Sequence, residues 1–286
     1  LDGNMLTTGD GWNYTWNGEN RLIRAVKGGA VVEMAYDYMG RRISKTTTGG
    51  TFLDFFTSGQ HNYRYVYDEY KLIAVYDGND LVMTFTWQPD SVNLDVPVSM
   101  TYDGETYYYV TDGNKNVIAL LDAEGNRVAE YAYGPFGQIL HMEGELAEIN
   151  PLRFGSEYYD DETELVYYNY RYFSPKLGRW IKRDPIGESG GLNEYNFLFN
   201  NSVNGMDLLG LALYAFDGTA NHENHLTNIR IMYEFYQPPH KKKYYRGIGN
   251  DIDYEYRRLT RTYIQATGAT LDNKVNSALQ DLKKIV

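Results

Sequence analysis

Residues 151–211 read PLRFGSEYYDDETELVYYNYRYFSPKLGRWIKRDPIGESGGLNEYNFLFNNSVNGMDLLGL. The stretch is dense in tyrosine, asparagine and glycine, and turn-forming residues interrupt it repeatedly. Within it, the run 167–172 (YYNYRY) predicts a strand and 174–178 (SPKLG) predicts the turn that follows. The stretch separates two parts of different charge. Residues 1–211 hold 16 Lys and Arg against 30 Asp and Glu, whereas 212–286 hold 11 against 8.

The composition limits the classes of protein to consider. A length of 286 residues suggests one or two domains, and the absence of cysteine excludes a disulfide scaffold and a cysteine nucleophile. No stretch approaches the roughly 18 continuous apolar residues of a membrane span. The net charge of −11 argues against a nucleic-acid coat for the whole chain. Because Leu1 is not a natural start, we expect a fragment, and the missing signal sequence says little.

Short β-strands are predicted through residues 1–140. The segments are rich in aromatic and β-branched residues and are bounded by Asp-Gly, Asn-Gly and Gly-Gly pairs, which supply the positive φ of tight turns. Tyr63, Tyr65 and Tyr67 alternate, so they line one face of a strand. The predicted strands are 14–16, 31–38, 63–67, 81–87, 106–110 and 128–133.

A degenerate repeat runs through the same region. Residues 36–43 and 133–139 share an aromatic residue, a glycine four positions later, a polar residue and an isoleucine, and residues 121–126 form a weaker copy. Each unit is a hairpin too small to bury its own face, so stacked neighbours must supply the core. On these residues alone, an ordinary antiparallel β domain and a spiralling repeat shell remain equally open.

Family resemblance decides between them. The run RFGSEYYDDETELVYYNYRYFSPKLGRWIKRDPIG, with the later NNSVNGMDLLGL, resembles the RHS repeat-associated core, and the repeat resembles the YD repeat of bacterial Rhs polymorphic toxins. The resemblance implies a mainly β fold: a YD-repeat hairpin shell over residues 1–150, then the RHS core that plugs it over 151–211. A partial α/β segment of a variable toxin domain is expected over 212–286.

The resemblance also implies an aspartyl autoprotease in the core, with Asp184 and Asp207 as the catalytic pair. The family cuts after a DPxGL motif, which carries over as the bond between Leu211 and Ala212. Here Leu208 stands where the family usually has proline, a departure expected to loosen Asp207. Two neighbouring carboxyl groups do not both ionise easily, so one can act as acid and the other as base. Without the resemblance, both aspartates are ordinary turn and capping residues.

Two basic residues near the pair, Arg179 and Arg183, are candidates for fixing a carboxylate, and the residues alone do not choose between them. No cofactor is expected. His222 and His225 flank Glu223, but the HExxH spacing of a zinc helix is absent, so no metal is expected.

After Leu211, the tail shows alternating strand and helix patterns, which are typical of an α/β domain. The motifs FDGT, YYRGIGN and GATLDNKVNSALQDL resemble the start of the DUF2235 group of α/β-hydrolases, which includes type VI secretion phospholipase effectors. In that group Asp217, Gly218 and Thr219 would lie near the oxyanion hole, at the end of a strand. The chain stops at Val286, before any G-x-S-x-G motif, so no nucleophilic serine can be named.

The first functional hypothesis is therefore a self-cleaving polymorphic toxin, secreted from bacteria and delivered into target cells. The resemblance implies as partners the rest of the Rhs shell, a secretion-system spike or adaptor and a cognate immunity protein, with phospholipid as the substrate of the complete toxin. Nucleic acid is not favoured as a partner. The alternatives are the same shell carrying a nuclease, and a structural or adhesive YD-repeat surface protein.

Overall fold

Twelve antiparallel strands, paired in chain order, form the larger sheet of the protein. The computed structural model describes residues 2–49, 60–89, 96–190, 192–203, 205–207, 210, 214–216 and 243–245. The expected mainly β architecture is confirmed. The strands of this sheet are β1 (Asn13–Trp16), β2 (Leu22–Lys27), β3 (Ala30–Tyr36), β4 (Arg42–Thr48), β5 (His61–Asp68), β6 (Lys71–Asp77), β7 (Asp80–Trp87), β8 (Pro97–Tyr102), β9 (Glu105–Thr111), β10 (Val117–Leu121), β11 (Arg127–Tyr133) and β12 (Ile139–Glu143).

The predicted repeat corresponds to one turn that occurs five times among the described residues. In each turn, the first backbone N–H donates to the fifth carbonyl and the fourth N–H donates to the first carbonyl. The fourth position has positive φ, which joins the strands with a bulge. The five turns span residues 17–21, 37–41, 112–116, 122–126 and 134–138.

Aspartate at the first position closes the turn. Asp37, Asp112 and Asp122 each accept hydrogen bonds from the third and fifth backbone N–H groups. The carboxylate therefore replaces strand partners that the reversing chain cannot supply. The two-residue turn at Asp103 and Gly104 has positive φ at both positions, as the Asp-Gly pair predicts.

Six of the twelve strands, alternate members of the sheet, were absent from the sequence prediction. Five of these strands mix charged or polar residues with apolar ones, so local propensity marks them weakly, whereas β10 (VIALL) is entirely apolar and its composition does not explain the miss. Each pairs with its neighbours in the sheet, β12 with β11 alone. The strands missed are β2, β4, β6, β8, β10 and β12.

Tyr63, Tyr65 and Tyr67 share one face of β5, as predicted. Tyr65 is buried and the other two are partly buried against the same core, whereas Val66 between them is exposed. The core also takes in residues that follow the twelve-stranded sheet, including Leu152. The sheet therefore buries one face against the segment that follows it.

That segment forms a second sheet, which we call the plug sheet: β13 (Tyr158–Asp160), β14 (Leu165–Tyr168), β15 (Arg171–Ser174) and β16 (Arg179–Trp180), paired in chain order. Every residue of β14 and β15 is buried, so both faces of these strands are covered. The predicted single strand 167–172 is wrong, because a turn at Asn169, whose φ is 38°, divides it. The predicted turn at 174–178 is confirmed.

Aromatic rings fill the space around the plug sheet. Phe173 lies 4.2 Å from Phe197 between ring centroids, and Trp180 lies 5.1 Å from Tyr168 in an edge-to-face arrangement. Such contacts add to the burial of large apolar area. The tyrosine and phenylalanine content of this stretch is thus used for packing.

The plug sheet is tied to the larger sheet through one buried cluster of charges. Arg42 on β4 is fully buried and donates to Asp160 on β13 at 2.5 Å, and Lys45 donates to the same carboxylate at 3.0 Å. The Arg42 guanidinium also lies 4.7–4.8 Å from the ring centroids of three tyrosines. Buried charges require such pairing. We call Arg42, Lys45 and Asp160 the sheet clamp.

A third sheet begins where the plug ends. β17 (Gly205–Met206) pairs antiparallel with β18 (Tyr214–Phe216), and β18 pairs parallel with β19 (Lys243–Tyr245). Strand order β17-β18-β19 therefore joins the end of the core stretch to the tail. Within the described residues, no helix has the length and apolar character needed to cross a membrane.

Candidate functional site

The plug sheet brings Asp184 and Asp207 to a single guanidinium. Arg171 Nη1 lies 2.7 Å from Asp184 Oδ2, and Arg171 Nη2 lies 3.4 Å from Asp207 Oδ2. All three residues are buried, at 4% exposure for Arg171 and 8% for each aspartate. Two aspartates separated by 23 positions in the sequence thus belong to one site. They are bridged by a cation.

Each aspartate is held by the backbone around it. Asp184 follows β16, and its Oδ1 accepts the Ile186 N–H at 3.0 Å. Its own N–H donates to Glu194 O at 3.0 Å. Asp207 follows β17, and its Oδ1 accepts the Gly210 N–H at 2.7 Å. These bonds fix one oxygen of each carboxylate and turn the other toward Arg171.

Gly210 is required by the geometry of the site. Its φ is 77°, and a Cβ there would lie 3.1 Å from the Tyr168 carbonyl and 3.3 Å from Arg171 Cβ. A side chain would therefore push on the strand that carries Arg171. This explains in physical terms why glycine precedes Leu211 in the motif.

Burial raises the pKa of Asp184 to about 6, because the charged carboxylate is poorly solvated there; the Arg171 charge opposes the shift and the Asp207 charge adds to it. At neutral pH the protonated form is therefore still accessible. The pKa of Lys182 is lowered to about 8, first by burial and then by the nearby charges of Arg171 and Arg21. The site is one in which ionisation is costly.

Arg171 is the residue that the sequence analysis missed. The structure places the two arginines chosen instead away from the aspartates: the Arg179 guanidinium lies over the Tyr195 ring at 4.4 Å, and exposed Arg183 pairs with Glu194 at 3.4 Å. Arg171 sits in the run YNYRYF, where alternation suggests an outward-facing side chain. Because β15 is covered on both faces, its guanidinium is buried at 4.1 Å from the Trp180 ring.

The remaining predicted site residues lie outside the described residues. These are Leu208, the cleavage residues Leu211 and Ala212, the histidines of the tail, and the stretch Asp217, Gly218 and Thr219. β18 ends at Phe216, the residue before that stretch. Among the described residues, no three His, Asp or Glu side chains gather to hold a metal ion.

A sheet of antiparallel hairpins with a repeated turn, packed on a smaller sheet that carries a buried aspartate pair, defines a β-hairpin repeat protein. A family model of the Teneurin YD-shell matches residues 1–216. The chain therefore belongs to the Teneurin YD-shell family, and its resemblance to the shell of Rhs-type toxins is confirmed.

Curated relatives support the same membership. The chain is 31% identical over 215 residues to the tRNA3(Ser)-specific nuclease WapA of Bacillus spizizenii, covering 72% of this chain and 9% of that protein. It is 28% identical to the double-stranded DNA deaminase toxin A of Burkholderia cenocepacia, covering 73% and 16%. The toxin protein Tse5 of Pseudomonas aeruginosa is 40% identical over 63 residues, 22% of this chain and 5% of that protein. The chain thus spans a small part of these relatives.

Two solved structures share the fold. One is TcdB2-TccC3-TEV, with a TM-score of 0.59 and 23% identity over 73% of this chain and 10% of that one. The other is the Photorhabdus luminescens Tc holotoxin pore, with a TM-score of 0.58 at the same identity and coverage. The expectation that nucleic acid is not favoured as a partner conflicts with the relatives, since two of them are a tRNA nuclease and a DNA deaminase. The family match ends at residue 216 and does not cover residues 217–286.

Proposed function

We propose that this chain is the C-terminal part of a toxin shell whose core cuts its own chain between Leu211 and Ala212. The observation that carries the proposal is the burial of Asp184 and Asp207 on one guanidinium, Arg171. A buried pair of carboxyl groups is costly to a fold and is characteristic of acid–base sites. The domain division at residues 150 and 211 belongs to this proposal.

The proposed chemistry assigns different roles to the two carboxyl groups. Asp207, in its ionised form, takes a proton from water as the water oxygen bonds to the Leu211 carbonyl carbon. Asp184, whose pKa is raised to about 6, polarises the carbonyl and gives its proton to the departing Ala212 nitrogen. Overall, a C–O bond to water forms and the C–N bond of the peptide breaks. Asp207 accepts one proton and Asp184 gives one, so the step is balanced.

Arg171 acts in this proposal by position and by charge. Its two nitrogens contact one oxygen of each carboxyl group and stabilise the single negative charge that the pair carries when Asp184 is protonated. Arg171 lies closer to Asp184 than to Asp207. Burial outweighs this contact and raises the pKa of Asp184, so Asp184 is assigned the proton and Asp207 the role of base.

Mass spectrometry of the purified chain tests the proposal. Asp184→Asn and Asp207→Asn keep the side-chain shape but cannot exchange the proton, so the uncut chain should accumulate in both. Asp161→Asn is the matched control, since Asp161 pairs with Arg153 at 2.7 Å elsewhere in the plug. Equal cleavage in the wild type and both Asn variants would refute the mechanism.

In this proposal the protein is secreted from bacteria and delivered into target cells. The rest of the Rhs shell, a secretion-system spike or adaptor and a cognate immunity protein are its proposed partners. Toxin names among the relatives support this setting. A structural or adhesive YD-repeat protein is the competing proposal, and it predicts a chain that is never cut.

Two activities are proposed for the toxin domain to which the tail belongs. A phospholipase is supported by the FDGT, YYRGIGN and GATLDNKVNSALQDL motifs and by the parallel pairing of β18 with β19, which suits an α/β-hydrolase sheet. A nucleic-acid enzyme is supported by the nuclease and deaminase relatives. Incubating the intact parent toxin with phospholipid vesicles and, separately, with tRNA and DNA distinguishes them: release of fatty acid supports the first, and nucleic-acid modification supports the second.

A further inference from the structure

A lysine in the turn between β9 and β10 has a buried ammonium group. Lys115 is 3% exposed, and its Nζ has no hydrogen-bond or ion-pair partner in the part of the chain that the structure describes. Buried ammonium groups are normally paired, because desolvation of an unpaired charge is costly. A lysine kept in this state needs an explanation beyond stability.

The position within the turn makes the lysine more unusual. Lys115 is the fourth residue of the five-residue turn, where φ is positive; its own φ is 65°. At this position three of the other four turns have glycine and the remaining one has asparagine. These are the two residues best suited to positive φ. Lysine is therefore strained where glycine would be relaxed. The fourth residues are Asn20, Gly40, Lys115, Gly125 and Gly137.

The same turn is fastened to the plug on both sides of the lysine. Asn114 Nδ2 donates to the Val203 carbonyl at 2.9 Å, and Asn116 Oδ1 accepts the Gly155 N–H at 2.8 Å. The Lys115 carbonyl accepts the Ser156 hydroxyl at 2.5 Å. The turn thus fixes the lysine relative to the core.

Lys115 and Asp207 line the same cleft. The cleft is small and partly open, and it is also lined by Tyr168, Ser202 and Gly205. Asp207 reaches the cleft from the position after β17, and Lys115 reaches it from the β9–β10 turn. A buried ammonium group without a partner among the described residues and a carboxylate of the proposed reaction thus border one space.

We propose that Lys115 is a positioning residue of the self-cleavage reaction, acting through Asp207. This inference rests on the proposed function. The ammonium places positive charge in the Asp207 cleft, favours the ionised form of that carboxylate, and so prepares it to take a proton from water.

Lys115 differs from two other groups that face Asp207. Arg171 is shared by both carboxyl groups and lies closer to Asp184 than to Asp207. The Tyr168 hydroxyl is neutral, because burial raises its pKa. Lys115 is not among the main causes of the raised pKa of Asp184, so in this proposal its charge acts on Asp207.

The test measures self-cleavage as a function of pH. The full-length protein encoded by the gene is synthesised with a label in a cell-free system. The fraction of chains that are cut is then followed over time at pH values below and above 6. The variants are Lys115→Met, which removes the charge, Lys115→Gly, which also removes the strain, and Lys115→Arg, which keeps the charge. Gly125→Lys is the matched control, because that turn faces open space.

The expected result is a change confined to the acidic side of the profile. In Lys115→Met and Lys115→Gly, the midpoint of the acidic limb of the pH–rate profile should move to higher pH by about 0.5 to 1 pH unit. Cleavage at acidic pH should therefore be roughly 3- to 10-fold slower. The alkaline limb should be unchanged, because Lys115 does not contribute to the shift at Asp184. Lys115→Arg should retain the wild-type profile. Lys115→Gly should cut more slowly at acidic pH while melting at a higher temperature.

Other outcomes refute either this inference or its foundation. A wild-type profile in both charge-removing variants, or slowing that is equal at every pH and accompanied by a lower melting temperature, overturns the role of Lys115 and leaves the aspartate pair in place. A wild-type chain that stays intact, or an Asp207→Asn chain that is cut equally well, overturns the proposed function and this inference with it.

Discussion

Removing the carboxylate of the sheet clamp should severely destabilise the protein. Asp160 is 1% exposed and accepts hydrogen bonds from Arg42 at 2.5 Å and from Lys45 at 3.0 Å. Asp160→Asn keeps the shape of the side chain and removes its charge. Lys45 would still pair with Glu162 at 2.9 Å, but Arg42 would lose the carboxylate that balances its charge and keep neutral contacts, which include tyrosine rings and a hydroxyl.

The magnitude follows from the burial of the guanidinium. Breaking a buried ion pair by removing one partner costs about 3–5 kcal/mol, because an uncompensated charge is left behind. Glu162, whose side chain is 26% exposed, is the matched comparison, and Glu162→Gln should cost about 1 kcal/mol or less. With an m-value near 2.5 kcal/mol/M in urea, the midpoints should fall by about 1.5 M and about 0.4 M respectively.

Urea unfolding followed by tryptophan fluorescence measures both changes. The double variant Arg42→Met with Asp160→Leu should recover much of the loss, since a buried ion pair can be replaced by apolar side chains. The clamp holds the pKa of Asp160 below its ordinary value through the charges of Arg42 and Lys45, which outweigh burial. The stabilisation by the clamp is therefore present above about pH 4, and it is lost as the pH falls through the lowered pKa of Asp160 in the folded protein. An Asp160→Asn midpoint no lower than that of Glu162→Gln would refute the reasoning.

Three further predictions concern the core. Gly210→Ala should slow self-cleavage by at least tenfold, because its Cβ would lie 3.1 Å from the Tyr168 carbonyl. The control is Gly187→Ala, where a Cβ meets nothing within 4 Å, and gels of freshly synthesised protein measure the cut fraction of both variants. Self-cleavage should decline as the pH rises through about 6, since Asp184 then loses the proton it must give, and a rate that keeps rising beyond that pH would contradict its role as acid. Leu208→Pro, which restores the residue usual in the family, should speed the cut in the same time course, whereas an unchanged rate would show that the departure is neutral.

The sequence determined the parts of this protein that depend on local chemistry. Asp-Gly and Gly-Gly pairs require backbone conformations that only tight turns provide, so the positions of the reversals could be derived directly. The repeat around Tyr36 and Tyr133 identified a turn that the structure shows at 37–41 and 134–138. The aspartate pair came from matched motifs, because the residues by themselves fit ordinary turns.

Tertiary packing decided what lies far apart in the chain. β2 and β4 were not predicted, because their pairing with neighbours outweighs a mixed polar composition. Arg42 meets Asp160 across 118 positions, and nothing in either local sequence marks the other as its partner.

The role of Arg171 shows the same limit at the site itself. Strand alternation assigns a side chain to one face or the other, but it does not say whether both faces are covered. Because the plug sheet is enclosed, Arg171 is buried between Asp184 and Asp207, while Arg179 and Arg183, nearer in sequence to Asp184, lie at the surface. Lys115 enters the cleft of Asp207 for a similar reason: the contacts of its turn with the core, made by residues about 40 and 90 positions away, direct a side chain that its own sequence would leave in solvent.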